Sequence, residues 1–133
     1  MENQGVNIVN KFFEAYTKRD FEAIKQVLDE NSKWIFPGQN PLSGEKKGIE
    51  QIVDFFDKMG EVMNNSNAKA DVLIMGANEH YMLECQHIWT NQQGQNLDHH
   101  WCILWNFKNG KIAEGKHFAE DQYKVDTFFN KLI

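Results

Sequence analysis

The chain has only two cysteines and two prolines among 133 residues, and no cluster of basic side chains. Cys85 and Cys102 stand in apolar, strand-like stretches without metal-type spacing, so they read as small buried residues of a protein in a reducing cytoplasm. The net charge of −5 is spread along the sequence, and the electrostatic footprint that nucleic acid or an anionic membrane would require is missing. No window approaches the roughly 18 apolar residues of a membrane helix. The start, Met1-Glu2-Asn3-Gln4-Gly5, lacks a basic residue followed by an apolar stretch, so no secretory signal is expected. No glycine-rich phosphate loop is present. The five histidines form no His-x-His or His-x-x-x-His pair, so neither a metal nor a cofactor is expected.

Aromatic residues are plentiful: ten Phe and four Trp in a chain long enough for one domain, taken as residues 1–133. They suit a thick core or an apolar pocket. Val6, Val9, Phe12, Phe13 and Tyr16 recur at helical spacing, which predicts an amphipathic helix over 3–18. Asp20 is placed to cap a second, shorter helix with the stripe Phe21, Ile24, Val27 and Leu28. A short strand over 32–36 stops at Pro37-Gly38, and an irregular loop runs to Gly44. A third helix starts near Gly48, with Ile49, Ile52, Val53, Phe56, Met59 and Met63 on one face, and breaks at Asn64-Asn65-Ser66-Asn67. The period then becomes strand-like. Strands are predicted near 70–76, 79–90, 97–108 and 111–119, before a last helix over about 121–130. Turns at Gly76-Ala77-Asn78, Gln92-Gln93-Gly94 and Lys108-Asn109-Gly110 would join them as antiparallel hairpins. Helices first and a sheet afterwards is an α+β order.

Two segments carry a resemblance. Trp34-x-x-Pro37-Gly38-x-x-Pro41-Leu42-x-Gly44, followed by a helix opening at Gly48 with Phe55-Phe56, resembles the SnoaL-like branch of the NTF2-like superfamily. So does Gly110-Lys111-Ile112 followed by Asp121-Gln122-Tyr123-x-x-Asp126-x-Phe128. The resemblance implies a cone: N-terminal helices packed on a strongly curved antiparallel sheet that encloses one pocket. It spans ketosteroid isomerases, polyketide cyclases, dehydratases, epoxide hydrolases and domains that only bind, so it names no reaction. It argues against one. The isomerases' general base would fall at Phe36, their oxyanion-hole tyrosine at Phe12 and their partner carboxylic acid at Ile103. Apolar side chains can neither abstract a proton nor stabilise an enolate.

Strand alternation places His99, Trp101, Ile103, Trp105 and Phe107 on one face, and Ala113, Gly115, His117 and Ala119 on another. The hairpin decides how the two sets meet. A two-residue Asn109-Gly110 turn would put Glu114 and Lys116 beside His99 and Trp101; a three-residue loop, which fits the family pattern, would put His117 there. The pocket would then be lined by Trp34, Phe36, Trp101, Ile103, Phe12, Tyr16, Phe56 and Met59. His117 is the candidate acid/base, a ligand hydrogen-bonding group, or a buried neutral histidine held by backbone. His99 is the second catalytic candidate or a strand-end residue. Asp98-His99-His100 looks like an acid/base cluster, but neighbouring strand residues face opposite ways, which favours a solvated face over the cluster. Asp121 reads as a helix cap, although some family members use a late-strand carboxylate as acid/base. The inward face of strand 79–90 stays open between Glu84 with Gln86 and Cys85 with His87 and Trp89.

The functional expectation is a cofactor-independent protein with a small hydrophobic ligand. It would carry out cyclisation, isomerisation or dehydration next to a carbonyl, the substrate clamped between Trp34 and Trp101. A non-catalytic ligand-binding or assembly domain is the alternative. Both readings expect a homodimer through the outer sheet face, with the Trp89 and Cys85 side as its apolar surface if that side turns outward.

Overall fold

The computed structural model describes residues 4–91 and 96–132. Four helices, α1 (Gln4–Thr17), α2 (Phe21–Val27), α3 (Ile49–Asn65) and α4 (Gln122–Leu132), accompany six strands. The strands are β1 (Leu28–Phe36), β2 (Gly44–Lys47), β3 (Lys69–Ala77), β4 (Tyr81–Trp89), β5 (Asp98–Lys108) and β6 (Lys111–Ala119). They form one sheet in the order β2-β1-β6-β5-β4-β3. The fold is α+β with a curved, cone-like sheet. That sheet is not wholly antiparallel, because β1 runs parallel to β6. The helix α3 connects β2 at one edge of the sheet to β3 at the other, which leaves β1 free to lie beside the last strand, β6. The expected turn at Gln92-Gln93-Gly94 lies outside the described residues.

Local chemistry explains most boundaries. Ala15, Tyr16, Arg19 and Asp20 close α1 in a Schellman arrangement: the Asp20 N–H donates to the Ala15 carbonyl and the Arg19 N–H to Tyr16. Arg19 takes the left-handed conformation, φ 53°, that glycine usually fills there, and its guanidinium is held by Asp57 of α3. Asp20 then caps α2, its side chain accepting from the Ala23 N–H at 3.1 Å. At α4, the Asp121 carboxylate accepts from the N–H groups of Tyr123 and Lys124. That is the cap expected of it. The same helix clamps the loop after β1: the Asn40 amide donates to Asp126 at 2.8 Å, the Gln122 amide to the Pro37 carbonyl, and the Asn130 amide to the Gln39 carbonyl.

The β5–β6 hairpin combines two devices. Asn109 (φ 54°) and Gly110 (φ 75°) make a two-residue turn between the paired Lys108 and Lys111, the geometry that Asn-Gly favours. The ladder then shifts: Phe107 pairs with Ile112 but Asn106 with Glu114, so Ala113 is an extra residue. The bulge reverses the parity that the tight turn alone would give, and Ile103 stands opposite His117. The three-residue loop does not form, yet His117 arrives on the face of His99 and Trp101.

The core is an aromatic stack between helices and sheet. The rings of Phe12 and Trp34 lie 4.8–6.1 Å from one another and from those of Phe56 and Trp105, mostly edge to face, an arrangement worth about 0.5–1.5 kcal/mol per pair beyond burial. Trp34 is fully buried and lies flat against Gly115 in the neighbouring strand: a Cβ there would sit 2.0 Å from the indole ring. Gly115→Ala is therefore expected to destabilise the protein by about 1–3 kcal/mol, read from urea unfolding followed by tryptophan fluorescence. A loss under about 0.5 kcal/mol, the scale of a neutral surface change, would refute this packing.

Candidate functional site

Pairing across β4, β5 and β6 arranges the inner face of the sheet in rows. Met82, Trp105 and Gly115 form one row, Glu84, Ile103 and His117 the next, and Gln86, Trp101 and Ala119 a third. The helices α1 and α3 stand over these rows, and between them lies a cavity of about 650 Å³. Its size is in the range of small-molecule sites. Phe12, Tyr16, Phe56, Met59 and Trp34 cover it from the helices and β1, while Trp101, Ile103 and Trp105 form its floor. Arg19 and Lys69 are the basic residues on its wall.

Glu84 and His117 are the ionisable groups set into the floor. Glu84 is fully buried. Its Oε1 accepts from the Trp105 indole N–H at 3.2 Å, and its Oε2 has no partner. Burial pushes its carboxyl above the ordinary carboxylate range, and hydrogen bonding from Gln86 and Trp105 only partly offsets that. Beside it the Gln86 carbonyl accepts from the Trp101 indole N–H at 2.9 Å. His117 is ringed by Trp34, Phe36, Phe55 and Trp101, with centroids 5.0–6.4 Å away. Neither of its nitrogens has a partner, and burial lowers its pKa to about 3. At neutral pH it is a neutral imidazole with one donor and one acceptor nitrogen. Tyr16 stays a neutral phenol, burial raising its pKa to about 12 against the opposing pull of Arg19.

Several residues are placed differently from the sequence expectation. Phe36 is buried behind the wall, packed on Phe55, Trp101, His117 and Phe129, and does not line the cavity. His99 shares the inner face but lies beyond the cavity: its Nε2 accepts from the Asp121 backbone N–H at 3.2 Å. Burial lowers its pKa, with Glu120 and Asp121 opposing. It fastens the entry to α4. Its neighbours face outward, His87 with Asp98 at 2.6 Å and His100 with Glu120 at 2.9 Å. Cys85 and Cys102 are not core residues. They are half-buried on the outer face, opposite one another, with sulfurs 2.7 Å apart.

The open choice on β4 is decided for Glu84 and Gln86. Apolarity alone favoured the other face, with Leu83, Cys85 and Trp89, and so concealed the carboxylic acid. The signal lay in parity: once β4 pairs with β5, the face of Trp101, Ile103 and Trp105 meets Gln86, Glu84 and Met82. Among the described residues no three His, Cys, Asp or Glu side chains gather as a metal site, and no helix is long and apolar enough to cross a membrane.

A helix-covered cone with an aromatic cavity and a few inward polar groups defines the class of NTF2-like pocket proteins. The chain belongs to the SnoaL-like family within it: residues 9–115 match the SnoaL-like domain. Among solved structures it is similar to Bal32a from a soil-derived mobile gene cassette, at 27% identity over 95% of this chain and 96% of that one, TM-score 0.83. It also shares its fold with TerC co-crystallised with polyporic acid, at 15% identity, 95% and 98% coverage and TM-score 0.78. An LEH-like epoxide hydrolase of M. tuberculosis matches at 13% identity, 97% and 91% coverage and TM-score 0.67. No curated protein matches the sequence significantly.

The two floor groups make opposite contributions to stability with pH. His117 titrates near 6.5 when unfolded and about 3 when folded, so its contribution is complete above pH 6.5 and falls as pH drops toward 3. The slope reaches about 1.4 kcal/mol per pH unit. Glu84 is raised above its ordinary 4.5, so stability is greatest below that value and declines as pH rises through the folded pKa. Chemical denaturation across pH 3–8 should show His117→Asn losing the acid-side slope and Glu84→Gln losing the decline above pH 4.5. Unchanged profiles in both variants would mean that neither group is buried as described.

Proposed function

We propose that the protein binds a small, flat, hydrophobic or aromatic carbonyl compound in this cavity and moves protons next to the carbonyl without a cofactor. One observation supports this reading above the rest. Four buried polar atoms without partners, Glu84 Oε2, Trp34 Nε1 and both His117 nitrogens, belong to residues of the same mostly apolar cavity wall. Buried polar atoms left unpaired cost about 1–3 kcal/mol each, so their gathering at one cavity fits a ligand that supplies the missing partners. Trp101, Phe56 and Met59 offer apolar surface for an aromatic body, and His117 offers a neutral imidazole that can accept a proton and return it.

A pKa of about 3 makes His117 a weak base. That favours a second reading, a domain that holds such a ligand without turning it over. Deuterium exchange at the carbon beside the carbonyl of 2-tetralone, followed by NMR, separates the two. Under the first reading the protein accelerates exchange, and His117→Ala lowers the rate by about 10²-fold or more while 2-tetralone still binds, weakened by no more than about tenfold. Failure of the native protein to accelerate exchange over buffer leaves the binding reading alone.

The outer face of the sheet supports a homodimer. Ile74, Cys85, Cys102 and Phe118 form one row across four strands, with Leu83 and Leu104 beside it. Ile74, Leu83 and Phe118 are 64%, 45% and 49% exposed. A contiguous apolar stripe of this kind marks an association surface. Sedimentation at micromolar concentration is expected to show a dimer that Leu83→Glu with Phe118→Glu converts to monomer; a native monomer would reject the interface.

A further inference from the structure

We infer that the Glu84 carboxyl is the polar anchor of the cavity, donating a hydrogen bond to the carbonyl oxygen of an uncharged ligand. The inference rests on the carbonyl-ligand reading above and adds which group recognises the carbonyl. Glu84 is fully buried, and one carboxyl oxygen is already the acceptor for the Trp105 N–H. The other is unpartnered on the cavity wall.

The groups facing Glu84 offer it no positive charge. Across β3 stands Met75 and across β5 Ile103, with Trp105 one row along the strand. Two residues on lies the uncharged Gln86 amide, whose carbonyl is taken by the Trp101 N–H. The helices contribute Phe12, Phe13, Met59 and Met63 to the same cavity. The ionisable residues elsewhere on the wall are Tyr16, Arg19, Lys69 and His117. Tyr16 is a neutral phenol and His117 a neutral imidazole. Arg19 is held by Asp57, and Lys69 pairs in register with Trp89 at the far end of β3. An isolated carboxylate without a counter-charge costs several kcal/mol in such surroundings. The protonated acid satisfies the Trp105 donor with one oxygen and presents an O–H on the other.

That O–H needs an acceptor which the protein does not provide. The unpartnered acceptor nitrogen of His117 lies in the same row, but Ile103 stands between, so the two backbones are two strand spacings or about 10 Å apart. A flat molecule lying on Ile103 would place its carbonyl oxygen at Glu84 and the far end of its ring system at His117. The pocket therefore selects neutral ketones, quinones or enones, and disfavours carboxylates, whose charge would meet Glu84 and Ile103 with no cation beside them, Arg19 being held by Asp57 and Lys69 standing at the far end of β3.

The probe is 6-acetyl-2-(dimethylamino)naphthalene, whose emission reports hydrogen bonding at its carbonyl. At pH 7 the native protein should bind it and the matching naphthalene-2-carboxylate at least about tenfold more weakly. Glu84→Gln keeps an N–H donor and should hold the probe within about threefold, whereas Glu84→Leu should weaken it about tenfold. Infrared difference spectroscopy supplies the readout that a purely structural role would not move. A protonated-carboxyl band absent from Glu84→Gln should be present at pH 7 and shift when the probe saturates the site.

An ionised Glu84 at pH 7, a band that does not shift on probe binding, or equal affinity of the Leu variant each overturns the inference. Absence of probe binding alongside intact tetralone exchange also overturns it and leaves the catalytic reading standing. Loss of exchange with the carboxyl shift intact does the reverse.

Discussion

An unpaired alanine in a late strand governs the interior of this protein. Strand side chains alternate, so one additional residue exchanges the two faces for everything beyond it. Ala113 is that residue in β6. Without it, Lys116 would stand opposite Ile103, and the faces of Gly115 and His117 would be exchanged. With it, His117 joins the row of Ile103 and Glu84, and Gly115 leaves the space that the Trp34 ring occupies. The stack of Trp34, Phe12, Phe56 and Trp105 is built on that contact. The cavity beside the stack owes its floor to the same register.

The interior combines two kinds of environment that usually exclude one another. The aromatic side is dense and dry, while Glu84, Gln86 and His117 bring polar atoms into it from the sheet. Indole N–H groups reconcile part of this difference, Trp105 donating to Glu84 and Trp101 to Gln86. Tryptophan is suited to this position because it buries a large apolar area and still carries one donor. The polar valences that the tryptophans leave open belong to Glu84 and His117, residues that line the cavity.

Much of the architecture was legible in the residues. Helical spacing marked α1 and α3, Asp20 and Asp121 marked helix starts, and Asn109-Gly110 marked a tight turn. These signals are local, acting within a turn or two of backbone. The parallel β1–β6 pair was less visible, because pairing between distant strands leaves no mark on either one. His117 was legible as a histidine amid small residues on its strand face. Glu84 was not, since a glutamate in a strand ordinarily faces water and the opposite face carries more apolar side chains. Phe36 looked like a pocket residue by position and proved to be packing, because Phe129 of α4 closes over it.

The sequence by itself determined the elements, their order and the apolar faces, since helix and strand periodicity, capping and turn preference depend on neighbours a few residues apart. The family resemblance argued against the ketosteroid-isomerase mechanism, because it puts Phe36, Phe12 and Ile103, which have no proton to exchange, at the positions of its base, oxyanion donor and partner acid. Only the tertiary structure decided which face of β4 turns inward, that His99 ties down α4 instead of entering the cavity, and that Glu84 is sealed among tryptophans. Those outcomes depend on strand pairing over tens of residues and on one bulge. Burial then alters the chemistry of the groups it encloses: it pushes the Glu84 carboxyl above the ordinary carboxylate range and lowers the pKa of the His117 imidazole to about 3.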